Sequence, residues 1–197
     1  MRREAQLIIP GLWLGPFQSS TDLRRMHSMG ITHVLCIRDK REAALIYPRF
    51  PTEFRYMTIE ISDTADQKLI NILSDSKAFI DEALSSGGTV LAHCNGGISL
   101  SPAIVIGYLM TISKATWEDA LAYVQSRRYC VAPSSFQIQL QEYEPIVRAT
   151  QKILPGTSLG NGERKRSMSL DDQEEDTDDR ARIAPSLRRE GSDMDME

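Results

Sequence analysis

The sequence predicts an α/β domain over residues 5–153, built on a mainly parallel sheet flanked by helices, and then a disordered charged tail over residues 155–197. Two observations carry the domain. Short apolar runs of strand length recur along the chain, and between them lie longer stretches whose apolar residues repeat at three- and four-residue spacing. Strands and covering helices alternate in this way in a parallel sheet. A third observation carries the tail: beyond Pro155-Gly156 there is no aromatic residue, and Gly, Ser, Arg and acidic residues dominate. Such a segment buries too little apolar surface to offset the entropy of ordering it.

Taken in order, Leu7-Ile8-Ile9 and Leu12-Trp13-Leu14 are two short strands separated by the turn pair Pro10-Gly11. Ser20 or Thr21 is placed to cap a short helix carrying Leu23, Met26 and Met29, which Gly30 ends. His33-Val34-Leu35-Cys36-Ile37 is a continuous apolar run, as in a buried parallel strand. Tyr56 to Ile61 alternates, with Met57, Ile59 and Ile61 on one face. From Gln67 to Ser86 the residues Leu69, Ile72, Leu73, Phe79, Ile80, Ala83 and Leu84 recur at helical spacing, and Gly87-Gly88 stops the pattern. Thr89 to Ala92 reads as a central strand. Pro102 then fits the first turn of a helix whose residues Ala103 to Met110 are apolar nearly all round, so that helix is expected to be buried. Thr116 caps a further helix running to Arg127-Arg128, whose cations suit a helix C-terminus. A last helix places Phe136, Leu140, Tyr143 and Val147 on one face.

The 197 residues are 41% hydrophobic, and the formal net charge of -4 argues against a nucleic-acid-binding face. Much of that negative balance lies in the run Asp171 to Asp179. No span approaches the roughly 18 apolar residues of a membrane crossing. The apolar run near Leu7 is too short for a signal peptide. Three widely spaced cysteines, Cys36, Cys94 and Cys130, do not form a disulfide framework. A cytoplasmic or nuclear protein is therefore expected, with Cys36 and Cys130 as core thiols, His27 and His33 structural, and neither a metal site nor a cofactor.

Chemistry concentrates where the central strand meets the apolar helix, in Leu91-Ala92-His93-Cys94-Asn95-Gly96-Gly97-Ile98-Ser99-Leu100-Ser101-Pro102. Adjacent glycines let successive backbone N–H groups turn inward, and the following helix start adds partial positive charge, which suits a tetrahedral oxyanion. The same field favours a nucleophilic Cys94. A cysteine beside two glycines can also be a mere small core residue; the strand, His93 and the Ser-Pro helix start favour the oxyanion loop.

This stretch resembles the phosphate-binding loop of the cysteine-dependent protein phosphatases, in which His-Cys is followed by five residues and an arginine. The wider chain resembles the dual-specificity branch, and within it the STYX (serine/threonine/tyrosine-interacting) pseudophosphatases. That likeness rests on Ile9-Pro10-Gly11-Leu12-Trp13-Leu14-Gly15-Pro16, Tyr123-Val124-Gln125, Arg127-Arg128-Tyr129-Cys130 and Gln139-Leu140-Gln141-Glu142-Tyr143-Glu144, among other segments between about residues 6 and 150. The resemblance implies Cys94 at the nucleophile position and His93 as the residue that orients the loop. It also implies phosphate-binding positions at Asn95, Gly96, Gly97, Ile98, Ser99 and Leu100, a Ser101 hydroxyl that eases departure of the thiolate, and Asp63 as general acid with Asp66 in reserve. The family's arginine position holds Leu100. The described STYX proteins lose the cysteine and keep the arginine, and this chain does the reverse. The segment from Cys130 to Phe136 resembles the family's Asn-Pro-Asn-x-Gly-Phe turn but is one residue shorter, with Ala132 in place of the asparagine.

Leucine offers neither charge nor donor where the family's guanidinium grips two phosphate oxygens. Two lost donors at about 3 kcal/mol each amount to about four powers of ten in rate. The resemblance and this substitution together imply a pseudophosphatase that binds phosphoproteins or kinases in signalling and protein turnover. Partners in the resembled group include MAP kinases and an F-box subunit of a ubiquitin ligase. A weakly active cysteine-dependent tyrosine/serine/threonine phosphatase, and a scaffold indifferent to phosphate, stay open as alternatives. In the tail, Ser167, Ser169 and Ser192 each follow an arginine by three residues, which marks them as phosphorylation sites; the alternative is a plain solvated tail.

Overall fold

All the expected strands join one five-stranded sheet in the order β1-β2-β5-β3-β4 in the computed structural model, which describes residues 3–62 and 67–153. The expected tail lies outside the described residues. β1 (Gln6–Ile9) and β2 (Leu12–Pro16) pair antiparallel through a turn at Gly11, whose φ of 79° is a left-handed conformation suited to glycine. The other pairings, among β2, β3 (His33–Arg38), β4 (Arg55–Glu60) and β5 (Val90–Cys94), are parallel. β5 is central because it is buried on both faces at every residue. Its register sets Pro16 beside Cys94 on one side and Cys36 beside His93 on the other. His93 and Cys94 therefore stand at the carboxyl edge of a parallel sheet, where ligand crevices form in such folds.

The side-chain alternation of β-strands splits the core in two. On one face Leu12, Leu14, Leu35, Ile37, Ile59, Ile61, Val90 and Ala92 meet the apolar stripes of α2 (Leu69–Ser85), α3 (Leu100–Ser113), α4 (Trp117–Gln125) and α5 (Ser134–Ile153). On the other, Val34 and Leu91 pack with Met26 of α1 (Leu23–Ser28), with Ile31 and with Phe54. Every residue of α3 from Leu100 to Met110 is buried, as its uniformly apolar sequence predicts. Its Gly107 permits close contact with α2: a Cβ there would lie 2.3 Å from Leu73 Cδ2. Phe136, Leu140, Tyr143 and Val147 form the buried stripe of α5. Burial pushes the thiols of Cys36 and Cys130 up to about 11, as suits core residues.

Two local expectations are corrected. Asp22, rather than Ser20 or Thr21, caps α1, its carboxylate accepting the Arg25 N–H at 3.1 Å. The Ser20 and Thr21 hydroxyls are spent on the carbonyls of Phe17 and Gln18 in the preceding 3₁₀ turn. Thr116 does cap α4, but that helix stops at Gln125, and its two following arginines separate. Arg127 stays at the helix end, its guanidinium 3.7 Å from the Tyr123 ring centroid and bonded to Ser126 Oγ. Arg128 turns inward and is buried.

Candidate functional site

The segment from Asn95 to Ser99 leaves the end of β5 and curls into the N-terminus of α3, and each of its five carbonyls is fixed from outside. Asn95 O accepts the Phe17 N–H at 2.9 Å, and Ile98 O the Val131 N–H at 2.8 Å. Ser99 O accepts the Ala103 N–H, the first turn of α3, at 3.2 Å. The two between belong to Arg128, whose Nη2 donates to Gly96 O at 3.0 Å and whose Nε donates to Gly97 O at 2.7 Å. In a planar trans peptide the C=O and the next N–H point in opposite directions. The amides of Gly96, Gly97, Ile98, Ser99 and Leu100 thus face away from this collar. Among the described residues none of these five has a protein acceptor. Inward-facing amides with a helix N-terminus behind them form an anion cup.

Gly97 is the residue this curvature depends on. Its φ is 61°, and a Cβ would sit 2.4 Å from Gly15 O and 2.7 Å from Arg128 Nη2. Gly96 is different, since a Cβ there would meet only the Ile98 side chain, Cδ1 at 3.5 Å and Cγ1 at 3.6 Å, which are ordinary contacts. Asn95, at the exposed end, donates from Nδ2 to Glu42 Oε1 at 2.7 Å, tying the loop to the 3₁₀ turn Lys40–Glu42.

Cys94 is buried at the base of the cup, and the Ser101 hydroxyl donates to its Sγ at 3.1 Å. The structure therefore brings the Ser101 hydroxyl to the Cys94 sulfur. His93 is wholly buried, and neither ring nitrogen has a hydrogen-bond partner among the described residues. It packs against the Phe17 ring at 5.9 Å between centroids. Desolvation drives its pKa down to about 4, which makes the imidazole neutral at pH 7. Leu100 belongs to the large core cluster and is only 9% exposed. Its side chain is committed to the core, and its contribution to the cup is its amide. Asp63 and Asp66, the general-acid candidates, lie outside the described residues.

The shortened turn after α4 keeps its place against the loop. The Val131 N–H anchors it to Ile98, Ala132 is buried, and the Pro133 carbonyl accepts the Phe136 and Gln137 N–H groups at the start of α5. Arg128 is the site residue that sequence reasoning misplaced. It also donates to Glu4 O at 3.0 Å and to Gln6 Oε1, joining the approach to β1 to the loop. Nothing local distinguishes Arg128 from Arg127. The only sequence signal is that Tyr129-Cys130-Val131 carries no helical pattern, so a helix ending earlier would have left one arginine in the turn. Among the described residues no group of His, Cys, Asp and Glu is placed to hold a metal ion, and no helix is long and apolar enough to cross a membrane.

The family model described as "Dual specificity phosphatase, catalytic domain" matches residues 12–146, and the chain belongs to that family. The chain is similar to serine/threonine/tyrosine-interacting protein B of Xenopus laevis, with 43% identity over 189 residues, 89% of this chain and 84% of the relative. Among solved structures it resembles that of the human tyrosine phosphatase-like serine/threonine/tyrosine-interacting protein, with TM-score 0.71 and 47% identity, covering 74% of this chain and 98% of that one. It also resembles a mouse putative dual specificity phosphatase complexed with zinc tungstate, with TM-score 0.68 and 28% identity over 79% of this chain and 94% of that one.

Proposed function

We propose that this chain is a pseudophosphatase-type binding module, which holds phosphorylated protein side chains in the cup formed by Cys94 to Leu100 and turns them over little or not at all. One observation carries the reading: among the described residues the five amides from Gly96 to Leu100 have no protein acceptor and lie opposite carbonyls that are held from outside the loop, while Leu100 is packed into the core. Hydrogen bonds from oriented amides suffice to hold an oxyanion in its ground state. Turnover additionally needs charge stabilisation that strengthens in the transition state, and the residue at position 100 supplies none. Phosphorylated kinases, MAP kinases among them, and an F-box ligase subunit are the partner classes proposed from the family resemblance.

The test pairs binding with turnover. Calorimetric titration of the full chain with tungstate, a tetrahedral oxyanion, is expected to show saturable binding, and hydrolysis of an aryl phosphate is expected to rise at least a hundredfold in Leu100→Arg. Wild-type hydrolysis within tenfold of the Leu100→Arg protein would refute the proposal of inactivity. The hydrogen bond from Ser101 to Cys94 Sγ favours a second reading, a slow cysteine phosphatase. That reading requires any measured hydrolysis to vanish in Cys94→Ser.

A further inference from the structure

Arg128 meets the loop from the side opposite the cup. Arg128 is 5% exposed, and two of its guanidinium N–H groups are given to consecutive carbonyls, Gly96 O and Gly97 O, at 3.0 and 2.7 Å. Those carbonyls belong to the same rigid peptide planes as the Gly97 and Ile98 amides, so fixing the oxygens fixes the direction of the N–H groups. A cationic donor also polarises each peptide it binds, which makes the opposite N–H a stronger donor. The fit is close, since a Cβ on Gly97 would come within 2.7 Å of Nη2.

We infer that Arg128 is a positioning residue for anion binding: through the Gly97 and Ile98 amides its buried guanidinium supplies, from behind the loop, part of the positive surroundings that the residue at position 100 does not. The inference rests on the oxyanion-binding reading above. Because the same guanidinium donates to Glu4 O and Gln6 Oε1, the shape of the cup is coupled to the start of the chain as well.

A groove of about 440 Å³, lined by Gly96, Ile98, Gln125 and Arg127 to Tyr129 among others, opens beside Arg128. A small guanidinium ion can therefore reach the space that a shorter side chain would leave. In the full-chain protein, Arg128→Met is expected to weaken tungstate binding at least tenfold and to move the Gly97 and Ile98 amide resonances. Millimolar methylguanidinium is expected to recover at least threefold of the loss, and to leave the wild type unchanged. A folded Arg128→Met protein that binds tungstate within threefold of wild type overturns the inference. If Arg128→Met does not fold, Arg128→Lys keeps the charge but presents a point donor in place of a fork. It is then expected to shift both amide resonances and weaken binding severalfold, and unchanged resonances and affinity overturn the inference. Wild type that fails to bind tungstate counts against the anion-binding reading instead. The Gly97 and Ile98 resonances of Arg128→Lys then decide the positioning on their own, with unchanged resonances overturning it.

Discussion

The backbone wall of the cup and the side chain at position 100 differ sharply within one short loop. Asn95 to Ser99 keeps all five carbonyls tied outward to groups from β2's end, the turn after α4, and α3 itself. Leu100, the next residue, packs its side chain into the core cluster. On the reading proposed above, anion-cup geometry and transition-state charge are separable. The first is a property of peptide planes held by their surroundings, so it survives any side-chain change that does not disturb the collar. The second, on the same reading, depends on the side chain at position 100, where leucine supplies no charge.

The strongest test of that separation is Gly97→Ala. The left-handed backbone and the clash with Gly15 O are expected to cost about 3–5 kcal/mol together and to abolish tungstate binding, measured by urea unfolding and calorimetry. A pH effect of nearly equal size is expected from His93. Its folded pKa, lowered to about 4 by burial, lies below the ordinary 6.5, so protonation favours the unfolded chain. Stability is then complete above about pH 6.5 and falls by about 3 kcal/mol as pH drops toward 4. Urea titrations from pH 7 to 4 should show that decline, and His93→Leu should flatten it relative to wild type.

Leu100→Ala separates core from cup. Loss of a buried leucine is expected to cost about 2–3 kcal/mol in unfolding free energy. Tungstate affinity should nevertheless stay within threefold, because the cup uses the amide of residue 100. A tenfold loss would place the leucine side chain in the binding surface. The smallest effect is expected for Gly96→Ala, which meets no close contact and no left-handed backbone: within about 0.5 kcal/mol of wild type, with binding unchanged within threefold. A collapse of binding there would show that both glycines, and not Gly97 alone, shape the loop.

Most of the fold was legible because its signals are short-range. Alternation in Tyr56 to Ile61, uniform apolarity in Ala103 to Met110 and the stripe of Phe136, Leu140, Tyr143 and Val147 each report burial within a window of a few turns or residues. Errors fell where a local rule had competing satisfiers. Three polar residues in a row, Ser20, Thr21 and Asp22, can each cap a helix, and the 3₁₀ turn before α1 claimed the first two hydroxyls. Arg127 and Arg128 both satisfy the rule for helix C-termini, yet Arg128 found acceptors 31 and 32 residues back in the chain.

By itself the sequence determined the strand-loop-helix order around Cys94, the presence of Ser101 and a leucine at position 100, since all three are matters of residue identity and short spacing. Only the tertiary structure decided that Ser101 reaches the sulfur, that Leu100 turns into the core, that Gly97 rather than Gly96 carries the curvature, and that Arg128 backs the loop. Those outcomes depend on which surfaces meet across β2, β5 and the turn after α4. Hydrogen bonds and clashes between segments distant in the chain leave no periodic trace in the residues that make them.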